Sequence, residues 1–202
     1  MKTTLSAIKA DTGSVGGHNR PSNAMLAKAS EQAEHAVKNG LLTDCKVTFT
    51  GDDICFLMAH TKGVDNPDIH KFAWDSFKET TAIAKSQGLY GAGQDLLKDA
   101  FSGNIRGMGP GSAEIEFEER QAEPFVLFAA DKCGPGVFNY PLLSCYADPY
   151  HNAGLLLAPD MHAGFTYTVM DVNYTEADKV IKVKVPEEYY DLCTLLRDPN
   201  HY

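Results

Sequence analysis

Asp52 and Asp53 stand side by side in "FTGDDICFLMAH", residues 49–60, an otherwise apolar and strand-like run. Burying an unpaired carboxylate is costly unless a cation or hydrogen-bond donors compensate it. Two more aspartates share that context: Asp11 closes the alternating stretch "KTTLSAIKAD", and Asp131 follows the apolar run "PFVLFAA". Carboxylates at strand ends converge on one rim of a sheet, where α/β proteins bind ligands. Hard oxygen donors of this kind suit magnesium, which takes one or two carboxylates and completes its shell from water and substrate phosphate. Each aspartate alone also reads as a turn residue; the Asp52–Asp53 pair reads as a metal site. His18, seven residues beyond Asp11 and just after Gly16–Gly17, is either a solvated loop histidine or a metal or phosphate contact. Lys132, beside Asp131, either meets a phosphate or is an ordinary strand-end lysine. The "GSVGGH" glycines fit no P-loop, because no Lys-Ser/Thr follows them.

The elements that must hold these residues follow from periodicity and punctuation. "KTTLSAIKA" reads as a strand. "PSNAMLAKASEQAEHAVKNG" reads as a helix capped by Ser22 or Asn23, with Leu26, Ala29, Ala33 and Val37 as its stripe and Gly40 as its stop. "DCKVTFTG" and "ICFLMAHT" form a hairpin with Asp52 and Asp53 at its tip. "NPDIHKFAWDSFKETTAIAKSQG" is a helix with Asn66 as cap and Pro67 in the first turn; Ile69, Phe72, Ala73 and Phe77 face inward, and Trp74 reads as core. The glycine-rich span 88–111 reads as a functional loop. "SAEIEFEER" is a strand with one charged face, and "PFVLFAADK" has the composition of a fully buried strand. "FTYTVMDV" and "KVIKVKVP" are further strands. "PEEYYDLCTLLRD" is a last helix with Tyr189, Leu192, Leu195 and Leu196 inside.

With no linker, repeat or charge block, residues 1–202 read as a single domain of the α/β (α+β) class with a mixed or antiparallel sheet. A net charge of −9 argues against a nucleic-acid or anionic-membrane surface and favours a cation partner. The five cysteines fall into no CxxC spacing and read as reduced thiols of a cytoplasmic protein.

Longer blocks carry a resemblance. "KTTLSAIKADTGSVGGH", "TGDDICFLMAHTKG", "QGLYGAGQDLLKDAFSGNIRGMGPGSAEIEFEER", "EPFVLFAADKCGPGVFNYPL" and "YADPYHNAGLLLAPDMHAGF" resemble, in order, the fructose-1,6-bisphosphate aldolase/phosphatase family. The resemblance implies an αββα sandwich in a homo-oligomer, and hydrolysis of the 1-phosphate of fructose 1,6-bisphosphate with several magnesium ions, manganese being possible. It implies Asp11 as the residue that activates the attacking water. His18, Asp52, Asp53, Gln94 and Asp131 match metal positions together with Asp11, whereas His18, Tyr90, Gly103, Asn104 and Lys132 match substrate positions. The family's Schiff-base lysine lies beyond "PEEYYDLCTLLRD" and has no match among residues 1–202, so aldolase activity is not expected from this chain alone. Three readings follow: a phosphatase, a half-enzyme completed by a separate chain, or a two-metal phosphoesterase for another small phosphate ester.

Overall fold

The computed structural model describes residues 2–97, 109–121, 125–132, 134–171 and 180–202. They divide into two compact units, Met1–Asp131 and Lys132–Tyr202, within the span that the sequence reading treats as one domain. Both units combine helices with antiparallel strands, so the α+β class holds.

In the first unit, β1 (Lys2–Asp11), β2 (Asp44–Thr50), β3 (Asp53–His60) and β4 (Gly111–Glu118) form one antiparallel sheet in the order β2-β3-β1-β4. Side chains alternate across a strand, so register decides which face each residue serves. Ile8 pairs with Phe56 and Ala10 with Ile54, and all four are buried on one face. Helices α1 (Asn23–Lys38) and α2 (Pro67–Ser86) cover that face, contributing Met25, Ala29, Ala33 and Ala36 from α1 and Ile69, Ala73, Phe77 and Ala84 from α2. Phe56 packs edge-on against Phe72, with 5.5 Å between ring centroids. The caps are those the sequence announces. Ser22 accepts from the Met25 N–H, and Asn66 accepts from the N–H groups of Asp68 and Ile69. One buried polar chain crosses the same face. The Lys62 N–H donates to His60 Nδ1, which leaves the proton on Nε2 to donate to Ser6; Ser6 in turn donates to Glu114.

Two readings of the first unit need correction. Residues 125–132 of "PFVLFAADK" form no strand, and Phe125, Val126 and Leu127 are exposed. An apolar run signals a demand for burial, and nothing in the run itself supplies a ladder partner. Trp74 is half-buried rather than core, because it lies beside the inward stripe of α2 and not on it.

In the second unit, β5 (Phe165–Met170) and β6 (Val180–Val185) pair antiparallel, and α5 (Tyr189–Leu195) follows. Short helices α3 (Asn139–Leu142) and α4 (Gly154–Leu157) precede them. Its core is Ala147, Val169, Val183, Val185 and Leu192. Among the described residues no helix is long and apolar enough to cross a membrane.

Candidate active site

The site grows from the end of the β1–β3 pairing. Asp11, last residue of β1, is the register partner of Asp53, first residue of β3. Both lie on the face opposite the helices, with Lys9 two residues earlier on the same face. Thr50 pairs with Asp53, so Gly51 and Asp52 form a two-residue turn. Gly51 has φ +58°, the left-handed backbone that a tight hairpin requires at its first turn position. That turn places Asp52 next to Asp53 with both carboxylates buried, at 0% and 3% exposure.

A second loop closes over this end. Ser14 and Tyr90 exchange backbone hydrogen bonds of 2.9 and 3.2 Å, and the Val15 N–H donates to the Arg20 carbonyl at 2.9 Å. Gly16 and Gly17 turn the chain between them at φ +67° and +80°. His18 is thereby held with Nδ1 2.9 Å from Asp52 Oδ2 and 3.7 Å from Asp11 Oδ2. Its ring meets the edge of Tyr90 at 5.0 Å.

Two groups of potential ligand atoms result, each lying within 4.8 Å of one another: Asp11, His18 and Asp52, and Asp52, Asp53 and Asp131. Asp52 belongs to both. Its Oδ2 faces His18, whereas its Oδ1 is buried with no hydrogen-bond partner among the described residues. An orphaned carboxylate oxygen at the junction of two acidic groups fits a bound cation, since otherwise its desolvation goes uncompensated. Lys9 Nζ supplies one internal countercharge by pairing with Asp53 Oδ2.

Burial and mutual charge act on the acidity of this cluster. Burial, reinforced by the charge of Asp52, pushes the Asp11 carboxyl up to about 7. Burial raises Asp53 to about 6 although Lys9 pulls the other way, and burial raises Asp95. Carboxyls displaced in this way by burial and by one another are characteristic of functional sites.

Asp131 comes close to the hairpin turn. A Cβ on Gly51 would lie 2.5 Å from Asp131 Oδ2 and 2.8 Å from its Cβ. Gly51→Ala therefore meets both a strained φ and a collision. It is expected to lower the melting temperature by several degrees, from about 1–2 kcal/mol of left-handed strain, and to weaken cation binding by displacing Asp131. Thermal melts with and without manganese check both effects.

The remaining expected residues are placed unevenly. Gln94 opens a single 3-10 turn, Gln94–Leu96, and the space above Gly91 lies 3.2 Å from Gln94 Oε1 and 3.7 Å from Asp11 Oδ2. That brings Gln94 to the cluster. Tyr90 is exposed beside His18. Lys132 is exposed and opens the second unit. Gly103 and Asn104 lie outside the described residues. Sequence reasoning missed Lys9 and Asp95. For Lys9 a signal existed, since residues i and i+2 of a strand share a face. For Asp95 it did not, because its partner is 84 residues away.

Residues 2–202 match the family model described as fructose-1,6-bisphosphatase. The chain belongs to this family. Across its full length it is 52% identical to the fructose-1,6-bisphosphate aldolase/phosphatase of Thermus thermophilus, of which it covers 55%. It is 52% identical to that of Ignicoccus hospitalis, covering 51% of it, and 53% identical to that of Pyrobaculum neutrophilum, covering 50%. The chain thus spans about half the length of the curated relatives it matches. The family resemblance read from the sequence blocks is established, and it extends over the part of those relatives that this chain aligns with.

Proposed function

We propose that this chain carries the cation-binding part of a sugar-phosphate phosphatase that removes the 1-phosphate of fructose 1,6-bisphosphate. The observation that carries the reading is the buried Oδ1 of Asp52, without a hydrogen-bond partner among the described residues, at the junction of two acidic groups, in a chain whose residues 2–202 match the fructose-1,6-bisphosphatase family. Asp11, His18 and Asp52 would hold one divalent cation, magnesium or manganese, and Asp52, Asp53 and Asp131 a second, with Gln94 close to the first. When bound, such cations neutralise carboxylate and phosphate charge and act as Lewis acids on phosphoryl oxygens. Asp11 accepts the proton of the attacking water. Burial above all, with neighbouring charge added, raises its pKa in the cation-free site. With a cation bound beside it the ionised form is favoured against both, so the deprotonated form would face the substrate at neutral pH. His18 and Tyr90 form an exposed edge suited to the sugar phosphate, and Lys132, Gly103 and Asn104 are proposed to complete it. We read residues 1–202 as one working part of an αββα enzyme, cytoplasmic and homo-oligomeric.

The relatives' greater length favours a second reading: activity requires further polypeptide beyond these residues, in the same or a separate chain. Phosphate release from fructose 1,6-bisphosphate and a panel of other phosphate esters, with magnesium or chelator, separates the possibilities. Metal-dependent release from fructose 1,6-bisphosphate is expected. Release only from a different ester would reassign the substrate. Cation binding without any release would favour the second reading.

A further inference from the structure

We propose that Asp95 is a positioning residue, its carboxylate standing in for a missing strand neighbour so that Asp11 and Gln94 are held together at the cation site. The inference deepens the phosphatase reading and rests on it for the identity of the site.

The sheet register shows the gap that Asp95 fills. On its β4 side, β1 is paired only as far as Lys9 opposite Gly111. Asp11 lies two residues further, where no β4 residue remains to accept its N–H. A buried backbone donor without a partner costs about as much as a lost hydrogen bond, so something must take the place of the ladder. Asp95 Oδ2 accepts the Asp11 N–H at 2.8 Å. One residue on, the Thr12 carbonyl accepts the Gly93 N–H at 3.2 Å. The 91–96 turn therefore docks on the end of β1 and the residue after it through one side-chain and one backbone bond, a substitute for a strand edge. Gly93, at φ +86°, allows the chain to turn there. Gln94 sits between these two anchors, which is why its Oε1 reaches the space that Asp11 Oδ2 also borders.

Asp95 acts through Asp11 rather than as a ligand itself. Its Oδ2 is committed to a backbone donor, and among the described residues it belongs to neither group of converging ligand atoms. An orienting group of this kind is typically worth ten- to a hundred-fold in metal affinity. Asparagine preserves a carbonyl acceptor at the same reach, whereas alanine removes it; the pair separates a positioning role from a ligating one.

The test uses the whole chain and two readouts: calorimetric titration with manganese, and exchange of the Asp11 amide by NMR in chelator. Asp95→Ala should bind manganese about ten- to a hundred-fold more weakly, with Asp95→Asn within about three-fold of the parent. The Asp11 amide should be protected in the parent and in Asp95→Asn, and exchange at least about ten-fold faster in Asp95→Ala. Parent-like affinity in Asp95→Ala would overturn the proposal. So would equal losses in both variants, which would make Asp95 a direct ligand. If the parent binds no manganese, the phosphatase reading fails on its own account, and amide exchange alone decides the positioning role; unchanged exchange in Asp95→Ala then rejects it. If Asp95→Ala does not fold, Asp95→Asn carries the test, and loss of Asp11 protection in that variant rejects the proposal.

Discussion

Asp52→Asn is expected to eliminate the cation-dependent rise in melting temperature and to cut any phosphate release by at least about a hundred-fold, while the cation-free protein melts no lower than the parent. Asp52 contributes to both groups of converging ligand atoms, so one substitution weakens two sites together. Its carboxylate is fully buried, with His18 on one oxygen and no hydrogen-bond partner on the other among the described residues. Without a cation that charge is a liability, and an isosteric amide relieves it. Relief of about 1 kcal/mol would appear as roughly 2–4 °C in a chain of this length. Melts of parent and variant, each in chelator and in millimolar manganese, give the four temperatures required. A variant that retained the parent's manganese shift would show Asp52 to be a turn residue with no part in cation binding.

That Asp52 was legible in the sequence at all depends on the hairpin around it. A glycine between the alternating run "DCKVTFT" and the apolar run "ICFLMAH" marks a tight turn, and the strand register then places Ile54 and Phe56 on the helix-covered face and Asp53 on the other. The caps at Ser22 and Asn66 were legible for an equally local reason, since each bonds an N–H two or three residues away. What stayed hidden depends on distant parts of the chain meeting. Asp95 takes the Asp11 N–H only because β4 stops at Gly111. Asp131 was legible as a member of the rim; that its approach to the turn requires Gly51 to have no side chain was not. The run "PFVLFAADK" misled because apolar composition is common to buried strands and to segments awaiting a cover. Of the site, the aspartates at the end of the β1–β3 pairing could be anticipated; the network that orients them could not.

In chelator the protein should become less stable as pH rises from 5 to 8, the reverse of what most carboxylate-stabilised proteins show. Folding lifts Asp11 from 3.8 to about 7 and Asp53 from 3.8 to about 6. Between those limits the folded chain holds protons that the unfolded chain has released, so unfolding is favoured increasingly as pH climbs. The contribution is fully present below about pH 4 and gone above about pH 7, the interval set by those shifts. The groups facing Asp11 act in the same sense: Asp52 adds charge from the hairpin turn, and Asp95 and Asp53 from the neighbouring turn and strand. Lys9 opposes through Asp53. His60 also opposes, because burial lowers its pKa and its contribution grows as pH approaches 6.5. One imidazole does not outweigh two buried carboxyls. Glu114, Asp75 and Asp148 are held below their usual values, so their contributions change only at pH values more acidic than this range. A fall in melting temperature of about 5 °C or more across the range is expected, given that each kcal/mol moves a chain of this size by roughly 2–4 °C. Saturating magnesium should reverse the slope, since a cation binds the deprotonated carboxylates and gains as they ionise. Asp11→Asn should make the chelator slope shallower, leaving mainly the part that Asp53 contributes. A melting temperature that rises from pH 5 to pH 8 in chelator would mean that these carboxyls are ionised throughout, and that the cluster is compensated without a cation.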